Sequence, residues 1–298
     1  MSMTATRLLA GLGVCAAASL QAQAHDMAGM HHDTPTAVSL LARRQIDSVA
    51  QAIQSLRTTD AAEKAGMHSA FGWIPTMGVH WVSRPQMMNG RQTDKTKPSQ
   101  LMFSKIGGKD SLVGIAYGYI TADNDTVRPV LFDGAPAWHE HQDLAPDGLT
   151  LVMLHVWLVP SPEGPFSGTN PNLPFWALGL AAPDSARIAK DAEFKARMYR
   201  ASLALAEVAD TNAILPQLER RPEVHASLAA HRDTVRALVP ELLAAQKAKD
   251  RVKWDRVADK AAKQWDAMQA TYIGSARLPE GRARIERFIN MLLGEHVH

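Results

Sequence analysis

Cysteine is nearly absent from this 298-residue chain: Cys15 is the only one. Beyond that position there can be no disulfide, no thiolate-bound metal and no cysteine nucleophile, so stability has to come from the core alone. Long apolar runs are missing too. No segment reaches the ~20 consecutive apolar residues of a membrane-spanning helix, which argues against a membrane span. Neither sign of charge is in excess, with 32 Lys and Arg against 30 Asp and Glu. That balance leaves no electrostatic footprint for nucleic acid or an anionic membrane. GxGxxG, a P-loop lysine followed by Ser or Thr, and a nucleophile elbow are also absent, so neither nucleotide binding nor Ser/His/Asp hydrolysis has support. HExxH fails by one residue, because Asp143 stands where the second zincin histidine would be.

What is present begins with an address. Arg7, the apolar stretch from Leu8 to Leu20 and the small-x-small Ala22-Gln23-Ala24 predict a secretory signal peptide over residues 1–24. A lipoprotein is the lesser reading, since Cys15 follows Val14 where a lipobox needs a small residue. The compartment expected is periplasmic or secreted. Residues 25–35, HDMAGMHHDTP, are polar and aperiodic and predict a disordered, His/Met-rich leader.

From Thr36 the pattern becomes helical, with Val38, Leu41, Ile46, Val49, Ile53 and Leu56 recurring mostly at three- and four-residue intervals. Thr59-Asp60 offers an N-cap for a second short helix ending near Gly66. The chain then turns rich in Gly, Pro, Trp and β-branched residues, predicting strands over 78–83, 100–106, 112–120, 130–132 and 149–159. Gly107-Gly108 marks the turn of a hairpin from Gln100 to Ile120. Within that hairpin Val113, Ile115, Tyr117 and Tyr119 are expected on one face and Gly114, Ala116 and Gly118 on the other. Small residues on a strand face admit a close neighbour, and helix packing is the expected cause. Residues 149–159 are apolar on both faces, the pattern of a central, doubly covered strand.

After Pro183 the periodicity is purely helical. Phe194, Met198, Ala201, Leu205 and Val208 form one stripe, and Trp254, Val257, Ala261, Trp265, Met268 and Tyr272 another. Val224, Leu228, His231, Val235, Leu238 and Leu242 form a third, expected to kink or break at Pro240. The fold class expected is α+β: a mostly antiparallel sheet core with a flanking N-terminal helix over residues 36–182, then a C-terminal helical bundle over 183–298.

The chemistry-bearing residues are histidines. His139 and His141, two apart, project to the same side of an extended segment and suit two ligands of one Zn or Cu ion. His155 lies on the central strand and needs a partner, because an unsatisfied buried polar group costs about 1–3 kcal/mol. His80, on another expected strand, is the further candidate. Glu140 should point away from the pair, leaving Asp133 and Asp143 to orient an imidazole. Cleavage would make His25 N-terminal, where its amine and imidazole can chelate Cu(II), with Met27, Met30, His31 and His32 following. His231 reads as a satisfied core histidine and His68 as a helix C-cap. The Pro-rich stretch PSPEGPFSGTNPNLPF reads as a pocket lid or a subunit contact, with Phe166, Leu173, Phe175 and Trp176 as apolar anchors.

Met77–Trp81 (MGVHW), the hairpin segment LMFSKIGGKDSLVGIAYGY, Leu131–Gly134 (LFDG) and the closing LHVWLVPSPEGPFSGTNPNLPF together resemble a family of uncharacterised secreted proteins that carry such segments in this order. The likeness covers about residues 77–175. It implies weight on His80 and His155, which stand inside its motifs, whereas His139, His141 and the leader fall outside them. No activity comes with it.

The function expected is therefore an exported protein with a histidine-lined pocket for a transition metal (Cu or Zn) or a small molecule, lined by His80, His139, His141 and His155, with His25 as a separate candidate ligand. The alternative is a non-catalytic assembly module whose Pro-rich loop forms a homo-oligomer interface. A third reading is an enzyme pairing His155 with Asp133 or Asp143.

Overall fold

The computed structural model describes residues 38–70, 72–134, 136, 138–141, 144–209, 222–276 and 278–294. The expected signal, the expected leader with His25, His31 and His32, and also Asp143, His296 and His298, lie outside the described residues. Among the described residues six strands form one sheet: β1 His68–Ser69, β2 Val79–Val82, β3 Gln100–Ile106, β4 Lys109–Ala122, β5 His139–His141 and β6 Leu149–Trp157. Their order is β1-β2-β3-β4-β6-β5, and every neighbouring pair is antiparallel. The architecture is α+β, as the sequence predicts.

β3 and β4 form the expected hairpin, closing at Ile106 opposite Lys109, with Gly107 and Gly108 both at positive φ. Only glycine takes two such residues in succession without strain. β6 is interior, buried from Thr150 to Trp157, and only the three-residue β5 lies outside it. The stretch 130–132 is no strand. Leu131 and Phe132 are buried as loop residues instead, where Phe132 packs edge-on against Tyr117.

Before the sheet come α1 Leu40–Ala52, a 3-10 turn over Gln54–Leu56 and α2 Thr59–Lys64. The Ser39 hydroxyl caps α1 by accepting from the Ala42 amide, and Thr58, one residue ahead of the expected Thr59, caps α2. α1 buries Ile46 and Val49 against one sheet face, in a core with Leu101, Phe103, Ile115, Tyr117, Tyr119, Val152, Leu154 and Val156. Val113 does not join them. The register slips between Met102 and Phe103, whose partners are Gly114 and Leu112, so Val113 is the extra residue of a bulge. It packs with Met102, Trp157 and Leu173 on the other side.

Short helices α3 Arg84–Met88 and α4 Asn172–Ala177 flank the opposite face: Met87 of α3 packs on Ala116, Leu151 and Met153, and Leu173 of α4 on Met102 and Trp157. The C-terminal helices are α5 Ser185–Ile188, α6 Ala192–Ala209, α7 Pro222–Lys247, α8 Arg251–Ser275 and α9 Pro279–Leu292. Among the described residues no helix is long and apolar enough to cross a membrane. All six residues of the Trp254-to-Tyr272 stripe are buried in one core with Phe194, Met198, Ala201 and Leu205. α7 runs unbroken through Pro240, so the expected interruption is absent; packing of Val235, Leu238 and Leu242 on both sides of the proline outweighs the one lost hydrogen bond. Glu207 of α6, its side chain 1% exposed, is held by Arg232 of α7 at 2.9 Å and accepts from the Tyr272 hydroxyl of α8 at 2.9 Å. That triad ties the three helices together.

Candidate histidine site

The second sheet face, between α3 and α4, is where the chemistry lies. Register places His80 opposite Met102, Met102 opposite Gly114, and Gly114 opposite Trp157. In the next row Gln100 faces Ala116 and Ala116 faces His155; beyond it Gly118 faces Met153, and Met153 faces His139. Directly opposed residues share a face, so His80, His155, His139 and, two residues on, His141 all project from the same side. Gly114, Ala116 and Gly118 form the floor between them.

At the two glycines the close neighbours are side chains of adjacent strands, while Ala116 takes Met87 of α3. A Cβ on Gly114 would sit 2.4 Å from the Met102 methyl and 3.2 Å from the Trp157 ring, and one on Gly118 would sit 2.7 Å from the Gln100 side-chain nitrogen. Side chains of the neighbouring strands lie down across β4, and the floor is low to receive them. His80 and His155 exploit the same trough. Their strands are three apart, a span of about 14 Å at ordinary strand spacing, yet their ring centroids are 5.6 Å apart. His155 and His139 are 4.9 Å apart and His139 and His141 5.0 Å. Four rings thus form a continuous row, with His80 and His155 buried and His139 and His141 half-buried at the edge strand.

Hydrogen bonding defines the two buried rings. His155 Nδ1 lies 2.8 Å from the Gly168 carbonyl; a carbonyl only accepts, so Nδ1 carries the proton and Nε2 is a bare lone pair. Nε2 is buried and has no partner. His80 Nδ1 is likewise buried and without a partner. Burial foremost, then the nearby His155 and His141 rings, holds His80 down to about 3, against the raising effect of the Gly78 backbone. Burial likewise holds His155 down to about 4, opposed by the Gly168 bond and assisted by His141. Both are neutral imidazoles at pH 7.

The loop after β6 delivers that Gly168 carbonyl. Trp157 donates its backbone amide to Pro165 and its ring N–H to Ser167, each at 2.7 Å. Asn170, fully buried, donates its side-chain nitrogen to the Pro160 carbonyl at 3.0 Å and its amide to Thr76 at 2.7 Å. The anchors are used as expected: Leu173 and Phe175 are buried and Phe166 packs against Phe132.

The described carboxylates are elsewhere. Glu140 points away from the pair, as extended geometry requires, and pairs with Arg128. Asp133 does not orient His155; it accepts from the Ser39 hydroxyl beside α1, and a backbone carbonyl takes the orienting role instead. His231 is satisfied by Gln264 at 2.9 Å. His68 is exposed in β1, pairing with Val82, rather than capping a helix. Sequence reasoning missed Gln100 and the Gly168 carbonyl. Gln100 had a signal, a lone amide opening a strand whose next three residues are apolar; a backbone carbonyl has none.

Among the described residues no set of three or more His, Cys, Asp or Glu side chains is arranged to hold a metal ion as it stands. Two imidazoles sharing one ion at about 2.0–2.1 Å per nitrogen, tetrahedrally disposed, have centroids about 5 Å apart. Neighbouring rings of the row stand at 4.9, 5.0 and 5.6 Å and pack tilted or edge to face, so each neighbouring pair has the spacing of two co-ligands and not the orientation, which changes by rotation about side-chain bonds. Comparison with protein families, curated proteins and solved structures gives no match.

Proposed function

We propose that this is an exported protein that binds a transition-metal ion, Cu or Zn, in the trough lined by His80, His155, His139 and His141. The observation that carries the proposal is the pair of bare, buried imidazole nitrogens, His155 Nε2 and His80 Nδ1, on adjacent rings. Leaving such acceptors unsatisfied costs about 1–3 kcal/mol each, and a Lewis acid removes that cost for both at once. His155 also donates its Nδ1–H to the Gly168 carbonyl, the outer-shell arrangement that fixes tautomer and orientation in metal-ligating histidines. His139 and His141, at the half-buried edge, complete the set after modest ring rotation.

The test is the metal content of purified protein, followed by titration with Cu and Zn. About one equivalent retained or taken up supports the proposal. Less than about a tenth of an equivalent retained, with no uptake on titration, overturns it. A small proton-donating ligand satisfies the same lone pairs, and it becomes the reading to pursue in that outcome.

A further inference from the structure

His155 and His80 are both buried, yet they are held very differently, and an ion has to reach both. The loop that orients His155 is tied down along its length. The Ser167 hydroxyl is shared between the Gly164 and Thr169 carbonyls at 3.0 and 2.9 Å, and Asn170 bonds to Pro160. Glu163 accepts from Lys195 and from the Tyr199 hydroxyl, which pins the loop to α6. Moving the Gly168 carbonyl away from His155 means breaking several of these bonds.

The His80 side is held by less. β2 is four residues long, and β1 outside it pairs over only two. Just ahead of β2 the chain turns tightly, bridged from Ile74 to Gly78, with the fully buried Thr76 at φ 65°. A β-branched residue in that left-handed region is strained and persists only where its surroundings impose it. The Thr76 carbonyl accepts from the Asn170 amide at 2.7 Å, on the fixed side. Its hydroxyl donates to the Leu292 carbonyl at 3.4 Å, a long bond. Leu292 ends α9, a 14-residue helix that buries only Ile289 and Leu292. Elements with so few buried apolar residues open locally at less cost than the core.

We infer that the Thr76 turn is a strained latch closed by the end of α9, an inference that rests on the metal-binding reading. When α9 lifts, the turn relaxes, β2 swings away and His80 parts from His155, which opens the trough to an ion. Redocking of α9 returns His80 to the site. The experiment is stopped-flow uptake of Zn(II) and of Cu(II), and release to excess chelator, by the unmodified protein, Thr76→Val and Thr76→Gly. Thr76→Val keeps the shape and the strain and loses the bond to Leu292. Its uptake and release should each rise at least about fivefold, with Kd unchanged within about twofold, because a gate scales both rates alike. Thr76→Gly adopts φ 65° freely, so both rates should fall at least about threefold below those of Thr76→Val. In the unmodified protein, metal loading should slow amide hydrogen exchange over α9 at least about tenfold, a readout that needs no variant. Faster release with unchanged uptake would make Thr76 a support for His80 and no latch, which overturns the inference. Unchanged rates in both variants, or unchanged exchange over α9, overturn it too. Each of these leaves the metal-binding reading standing. Binding of neither ion overturns both.

Discussion

The rings of His80 and His155 lie 5.6 Å apart although β3 and β4 separate their strands. They meet because the intervening strand carries Gly114, Ala116 and Gly118 on that face, so two imidazoles can lean across it. Removing either ring removes one of the two bare nitrogens. His80→Ala and His155→Ala should each lower metal affinity by at least about a hundredfold, and His139→Ala or His141→Ala, at the half-buried edge, by about tenfold. His231→Ala should leave it unchanged, since that ring is bonded to Gln264 in the helical half. Equilibrium titration of the five variants checks the ordering.

The glycines of this region differ in what they tolerate. Gly78 has φ 81°, and a Cβ there would sit 2.5 Å from the Phe103 carbonyl oxygen, a backbone atom that cannot swing aside. Gly78→Ala should cost about 2 kcal/mol or more and displace the start of β2, and with it His80. Gly118→Ala meets only the end of the Gln100 side chain at 2.7 Å; the amide can rotate away, and the expected change is under about 1 kcal/mol in either direction. Gly114→Ala falls between, pressed by the Val156 carbonyl at 3.1 Å and the Trp157 ring at 3.2 Å. Urea denaturation of the three variants should give that order.

In the helical half, Glu207 depends on Arg232. With its side chain 1% exposed and Arg232 at 2.9 Å, the carboxylate would stay buried without its Arg232 partner in Arg232→Met. The cost expected is about 3–5 kcal/mol, the usual penalty for removing one partner of a buried pair. The double change Glu207→Leu with Arg232→Met should recover most of it, because it removes the buried carboxylate along with its Arg232 partner. A double variant no more stable than Arg232→Met alone would rule out this account.

Much of the architecture was legible because hydrophobic period tracks burial. The bulky/small alternation in β4, the two-faced apolar run of β6 and the stripe from Trp254 to Tyr272 each point to burial, and the structure buries those residues. Register-dependent features were not legible. The bulge that turns Val113 to the other face leaves no mark in composition, and neither does the Gly168 carbonyl on His155. That His80 and His155 meet follows from strand order, which one sequence does not specify. Nor could the residue pattern tell that Gly114 and Gly118 receive side chains and not a helix, since both leave the same small-residue signal.

The buried imidazoles also make stability depend on pH, with a definite sign. His80 and His155 sit at about 3 and about 4 in the folded chain, against an unfolded value of about 6.5. Below 6.5 the unfolded chain binds a proton at each ring and the folded chain does not, so stability falls as pH falls. The dependence begins near 6.5 and ends once the folded rings protonate, near 4 for His155 and near 3 for His80. At pH 5 each ring should have cost about 2 kcal/mol relative to pH 7. Replacing both with Gln removes this contribution, so the double variant should lose about 4 kcal/mol less than the unmodified protein between pH 7 and pH 5. Urea melts of metal-free protein at the two pH values measure the difference. Equal losses in the two proteins would mean that these rings do not resist protonation in the folded state.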